Sequence, residues 1–198
     1  MPPRLAAGLL TSAQLLAGFQ LLPDVPRSPA PRAPIMSMPC SDLVTDSFLA
    51  THTQFLEEAW VSLERPPTDP HDLADGWYGE ETLDRYGPGQ AATVMTAIRG
   101  AAQRCASYSD VLPLGGPATQ NTVSTKDAGV PADDSLVLRI TVTSADDNQP
   151  WVIERAFVRE RDVLLTVDKL IEQAPVVGVE AVLPAAVAAY RAAGGGKG

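Results

Sequence analysis

The sequence predicts an α+β fold: an antiparallel sheet of about five to seven strands, a long helix and a C-terminal helix packed on one of its faces, and one disulfide. Alternation is the first sign. Leu136, Leu138, Ile140 and Val142 are interleaved with Val137, Arg139, Thr141 and Thr143, the period of two that a half-buried strand requires. A helical stripe is the second, because Val94, Ile98, Ala101 and Cys105 recur at the spacing of one helix face. The third is a pair of cysteines, Cys40 and Cys105, 65 positions apart.

At the start of the chain, Arg4 and the apolar stretch from Leu5 to Leu22 read in two ways. As a targeting or membrane segment the stretch is interrupted by Thr11, Ser12, Gln14 and Gln20, and no unbroken run reaches the roughly 20 apolar residues of a span. As folded structure, Thr11 or Ser12 caps a short helix over Ala13–Ala17 and Gly18 supplies its left-handed stop. The second reading fits better. Pro23, Pro26, Pro29, Pro31, Pro34 and Pro39 then exclude helix and central strand, leaving an extended surface connection that ends at Cys40. A helical turn is expected over Ser41–Asp46.

Ala59, Val61 and Leu63 alternate with polar neighbours as a strand that Pro66, Pro67 and Pro70 terminate, and Glu80–Tyr86 is a second strand. Gly87-Pro88-Gly89 opens the long helix, over residues 90–106. Leu112–Ala118 reads as a loop and Asn121–Lys126 as a strand. Beyond the alternating strand, Asp146-Asp147-Asn148 is a turn leading to a hairpin of Trp151–Val158 and Val163–Lys169. With Glu160 and Arg161 as its loop, Val158 faces Val163 and Ala156 faces Leu165, while Arg155, Phe157, Leu164 and Thr166 take the opposite face. The last helix lies between Val177 and Ala193, with Pro184 either kinking it or marking its first turn. The expected organisation is one domain over 9–193, an N-terminal extension at 1–8 and a flexible Gly-rich tail at 194–198.

Composition narrows the partners. The chain has 198 residues, 45% of them apolar and 20% charged, which is globular composition. A net charge of −9 repels phosphate backbones and anionic lipid surfaces, so nucleic acid is not an expected partner. The two cysteines are too far apart for a redox CxxC pair, and with only two histidines they do not form a zinc site. They are either two buried thiols of a cytosolic protein or a bridge. A Pro-rich loop at one cysteine and a helix end at the other favour the bridge, a common device of exported domains.

Catalytic signatures are missing: there is no GxSxG elbow, HExxH, GxGxxG or phosphate loop, and no metal, cofactor or catalytic residue is expected. Asp69, His71, Asp72 and Asp75 form the densest polar cluster, but Leu73 at its fifth position breaks the calcium-loop pattern and a solvated loop explains it. Asp133-Asp134 and Asp146-Asp147 sit where turns are expected. Trp77, Tyr78 and Tyr86 could stack on a sugar ring, although packing is the commoner use of such residues. Placing Leu136–Val142 and the Ala156, Val158, Val163, Leu165 set inward leaves Arg139, Thr141, Arg155, Thr166 and Asp168 together on the outer face. Arg139 and Arg155 are then the expected anchors of an anionic or polar ligand. The plainer alternative is that Arg155 only pairs diagonally with Asp168 at the surface.

The order of these parts resembles a known family. The opening Leu9-Leu10-Thr11-Ser12-Ala13-Gln14-Leu15-Leu16-Ala17-Gly18-Phe19 leads through a Pro-rich loop to Cys40; an Ala-rich helix ends in Gln103-Arg104-Cys105; three long strands with a tight hairpin and an Ala-rich terminal helix follow. This arrangement is similar to the extracytoplasmic sensor-type domains of actinobacterial cell envelopes, found as the outer part of PknH-type Ser/Thr kinases and as stand-alone lipoproteins. Kinase sensor domains of that type usually carry two disulfides, and here only one is available. The resemblance implies an antiparallel sheet with packed helices, a groove for an unidentified ligand and no catalytic residues. It makes a secreted or extracytoplasmic location the expectation, with an unidentified small molecule or cell-envelope component as partner and a lipid anchor or membrane tether through an upstream leader. A carrier of lipid or another apolar molecule, held in a sheet–helix cavity, is the alternative.

Overall fold

The computed structural model describes residues 3–23, 31–45, 47–69, 71, 76–111, 116–144, 146, 150–169 and 177–194. Strands β1 (Gln20–Leu21), β2 (Glu57–Arg65) and β3 (Trp77–Arg85) form one antiparallel meander. A second contains β4 (Ser107–Val111), β5 (Ala118–Lys126), β6 (Asp134–Ser144), β7 (Trp151–Glu160) and β8 (Val163–Lys169). The meanders join along β3 and β8 into one antiparallel eight-stranded sheet of order β1-β2-β3-β8-β7-β6-β5-β4. Helices α1 (Pro3–Ala6), α2 (Phe48–His52), α3 (Gln90–Arg104) and α4 (Leu183–Ala192) and two short 3-10 turns, Cys40–Val44 and Val179–Ala181, complete the described elements.

Local chemistry sets the helix starts. Gly89, at φ 75°, makes the left-handed step into α3, the Gly87 N–H donates to Gln90 Oε1, and the Gly89 N–H donates to Asp162 Oδ1 in the β7–β8 turn. Pro184 lies in the first turn of α4, where its missing N–H costs nothing.

Both faces of the sheet are covered, and this corrects the expectation of two helices on one face. On one face α3 buries Met95, Ile98 and Ala101 against Leu136, Leu138, Ile140, Phe157 and Leu164. On the other, α4 buries Leu183, Ala186, Val187 and Tyr190 against Leu83, Ala156, Val158, Leu165 and Val167. The sequence carries the cause in Leu136-Val137-Leu138, Ala156-Phe157-Val158 and Val163-Leu164-Leu165. Consecutive apolar residues mark strands buried on both sides, and every residue of β8 is buried. Among the described residues these side chains form two packed clusters, one on each face of the sheet.

Other differences have equally local causes. The described strands number eight, above the expected five to seven, because β1, two residues long, and β4, Ser-Tyr-Ser-Asp-Val, give too short and too polar a signal to be read. Residues 13–17 do not form the expected helix: the Thr11 N–H and hydroxyl both donate to Gln14 Oε1 and close a turn instead. Gly18 does take the left-handed conformation, at φ 85°. The packed region also starts before residue 9, since Leu5 belongs to the α4-side core. The hairpin loop is Arg161-Asp162, so Val158 pairs with Leu165 and Ala156 with Val167, two residues from the expected partners but on the expected faces. The turn expected at Asp146-Asp147-Asn148 lies mostly outside the described residues.

Candidate functional site

The strand register decides the fate of the predicted ligand face. Leu138 pairs with Arg155 and Arg139 with Glu154, so the apolar set of β6 shares its face with Arg155, not with Ala156. Arg155, Thr166 and Asp168 therefore lie on the α3 face, while Arg139 and Thr141 lie on the α4 face. The five residues do not form one surface, and this corrects the grouping expected from alternation. The Arg139 guanidinium reaches Glu154 Oε1 at 3.1 Å.

Arg155 is also not exposed. Its side chain is 1% accessible, with Nε 3.0 Å from Asp168 Oδ1. Its terminal nitrogens donate to the carbonyls of Leu43 and Thr45, and its guanidinium lies 5.4 Å from the Phe48 ring centre. The 3-10 turn and α2 thus sit on the sheet as a cover nailed down by this arginine. Ser47, left-handed at φ 53°, starts α2 immediately above it. The space between Phe48, Glu58, Thr82, Asp84, Thr166 and Asp168 is about 10 Å³, enough for one water. It is a structural junction.

A larger opening lies beside it. A cleft of about 290 Å³ separates the segment Pro34-Ile35-Met36 from Gln90, Thr93, Val94 and Ala97 of α3, with His52, Thr53, Gln54 and Tyr86 completing its walls. The strap that forms one wall is irregular chain, and its hold on the scaffold is a set of specific contacts. Arg104 donates to the carbonyls of Ile35, Met36 and Met38 at 3.1–3.2 Å. Cys40 is bonded to Cys105, with the sulfurs 2.01 Å apart. At the other end, the Arg32 N–H donates to the Thr51 carbonyl, and His52 Nδ1 donates to the Ala33 carbonyl at 2.5 Å. Buried His52 also places Nε2 3.4 Å from Asp42 Oδ2, and Asp42 Oδ1 meets Arg32 at 3.3 Å.

Deep in the cleft the hydroxyls form a directed chain. Thr53 Oγ1 donates to the Leu49 carbonyl at 2.8 Å, so its proton is committed, and the Tyr86 hydroxyl 2.8 Å away must donate to Thr53. Burial, reinforced by Asp84, pushes the Tyr86 pKa upward and keeps this hydroxyl protonated.

The remaining sequence candidates separate. Asp69 Oδ1 accepts the N–H of exposed His71, a local turn; Asp72 and Asp75 lie outside the described residues. Among the described residues no His/Cys/Asp/Glu group is arranged to hold a metal. Asp133 and Asp134 contact Arg159 and Arg99. Trp77 donates its indole N–H to the Gly178 carbonyl on the α4 side, Tyr86 faces the α3 side and Tyr78 is exposed, so they make no common stacking platform. The cleft itself was missed by sequence reasoning. Its signal was Ile35, Met36 and Met38, three large apolar residues inside a Pro-rich loop.

No family model matches the chain, and no curated protein matches it in sequence. Among solved structures it is similar to the extracellular domain of PknH from Mycobacterium tuberculosis, at 14% identity over 98% of this chain and 97% of that one, with a TM-score of 0.63. The chain has that domain's fold.

Proposed function

We propose that the protein is a non-catalytic, extracytoplasmic sensor-type module of the cell envelope that binds a small ligand in the cleft under the Pro34–Met36 strap. The observation that carries this reading is the make-up of the cleft. One wall is a helix fixed in the core, and the other is irregular chain held by a disulfide, an arginine and a histidine. Such a wall can adjust to an occupant while its ends stay put. The disulfide fits an oxidising compartment, and the shared fold with an extracellular domain supports the same location. A membrane tether through an upstream leader or lipid anchor belongs to the proposal.

The test is a thermal-shift screen of the oxidised protein against polarity-graded organic fractions of culture medium and cell envelope. The comparison is Thr93→Trp, which places an indole in the cleft from an exposed helix position. At least one fraction is expected to raise the melting temperature of the wild type and not of the variant. No shift with any fraction, or equal shifts in both proteins, overturns the reading.

A further inference from the structure

We propose that the occupant of this cleft is an uncharged, mainly apolar molecule of about two fused rings that donates one hydrogen bond to the Tyr86 hydroxyl. The inference rests on the cleft being the binding site and adds the chemistry of what enters it.

Charge is the first constraint. The chain carries 24 acidic and 15 basic residues, yet among the described residues no Asp, Glu, Lys or Arg lines the cleft, and the wall residue His52 turns Nδ1 to the Ala33 carbonyl and Nε2 to Asp42. An ion entering it would lose water and meet no side-chain charge that is not already engaged, so its desolvation goes uncompensated. The nearest basic groups have other duties: Arg104 is spent on three strap carbonyls and Arg32 on Asp42. Asp84 and Glu58 act on the Tyr86 hydroxyl with a negative field, which further disfavours an anion.

Hydrogen-bond polarity is the second. The relay Tyr86 to Thr53 to the Leu49 carbonyl consumes both hydroxyl protons, leaving Tyr86 Oη with acceptor capacity only. At the helix start, Gln90 commits its carbonyl oxygen to the Gly87 N–H, so its amide is a donor. The complement is a molecule with an O–H or N–H at its inner end and at most an acceptor further out.

Size and surface are the third. About 290 Å³ is roughly twice the ~150 Å³ that holds benzene in an engineered apolar cavity. Met36, 65% exposed on the strap, puts a polarisable thioether beside this opening, the kind of side chain that wraps an aromatic ring.

Isothermal titration with a matched set of naphthalenes tests this on the oxidised full chain: 1-naphthol, 1-methoxynaphthalene, 1-naphthoate and 1-naphthylmethylammonium at pH 7. Naphthol is expected to bind at least tenfold more tightly than each of the others. Tyr86→Phe is expected to remove the advantage of naphthol over its methyl ether, and exposed Thr93→Trp to abolish binding without relying on the buried tyrosine. Preference for either ion, lost in Thr93→Trp, overturns the neutral-ligand inference and leaves the cleft as the binding site. Binding that survives Thr93→Trp overturns both. Equal binding of naphthol and its ether, or no binding of any probe, overturns the inference, and the fraction screen then decides separately whether the cleft binds anything.

Discussion

Arg155 and Asp168 stand directly opposite each other across β7 and β8, and the residues beside them, Glu154 and Lys169, are partners in the same register on the other face. Adjacent rungs of one hairpin therefore carry an ion pair above the sheet and an acid–base pair below it. Each side holds down a different piece of chain. Arg155 grips Leu43 and Thr45, while Glu154 accepts the Val179 N–H and Lys169 donates to the Val177 carbonyl.

Replacing Arg155 by Met is expected to cost about 3–5 kcal/mol, because Asp168 stays buried after its guanidinium is gone. Urea denaturation measures the loss. The double replacement Arg155→Met with Asp168→Asn is expected to be more stable than the single one, since the buried charge leaves with its partner. A double variant no more stable than Arg155→Met would show that the ion pair is not the reason.

The Cys40–Cys105 bridge closes 65 positions of chain, worth about 4 kcal/mol in the loop-entropy account. Serine at both positions is expected to lower stability by that order, with hydrogen exchange rising first in residues 34–40. Thiol alkylation of the unfolded, unreduced protein is expected to label nothing. Two labelled cysteines would remove the bridge and its support for an oxidising compartment.

Much of the fold was legible, for reasons that can be located. Alternation in β6 and the face assignments of β7 and β8 survive any even shift of register, so a hairpin loop misplaced by one position still left Val158 and Leu165 on the right side. The pairing of β6 with β7 had no such protection. No two-residue turn in the sequence between them fixes the register, and Leu136-Val137-Leu138 and Ala156-Phe157-Val158 suit either face, so Arg139 and Arg155 were brought together wrongly. Cys105 was readable from the helix stripe. The cleft was not, because it joins residues 34–36 to residues 90–97, and no local pattern reports where an irregular strap will lie.

Glu81 makes stability depend on pH. It is buried between Val61 and Val167, its neighbours in register, and accepts the Leu10 N–H at 2.8 Å. Burial pushes its pKa up to about 7, the Leu10 bond pulling weakly the other way. The folded state then holds a proton that the unfolded chain releases near pH 4.5, so stability falls as pH rises from 4.5 to 7 and the full penalty remains above that. On this account Glu81 costs on the order of 3 kcal/mol at pH 8. Glu81→Gln keeps an acceptor for Leu10 without the charge. Its melting temperature is expected to exceed that of wild type at pH 8 and to match it near pH 4.5. A constant gap between the two proteins would rule this out.

The seam between β3 and β8 bears on the order of assembly. Pairs such as Tyr108–Asn121 and Phe157–Thr166 are close in sequence, whereas Gly79 must wait for Lys169. Distant pairings form late because the intervening chain has to be gathered first. Leu138→Ala is accordingly expected to slow refolding, and Leu83→Ala, on β3, mainly to speed unfolding; the reverse partition would place the seam in the nucleus. Until residues 163–169 leave the ribosome, β3 is an open border of the sheet, ready to recruit a strand from another molecule. Glu80, Glu81, Asp84 and Arg85 put four charged side chains on a nine-residue strand, the kind of guard that keeps such a border unoccupied until its own partner arrives.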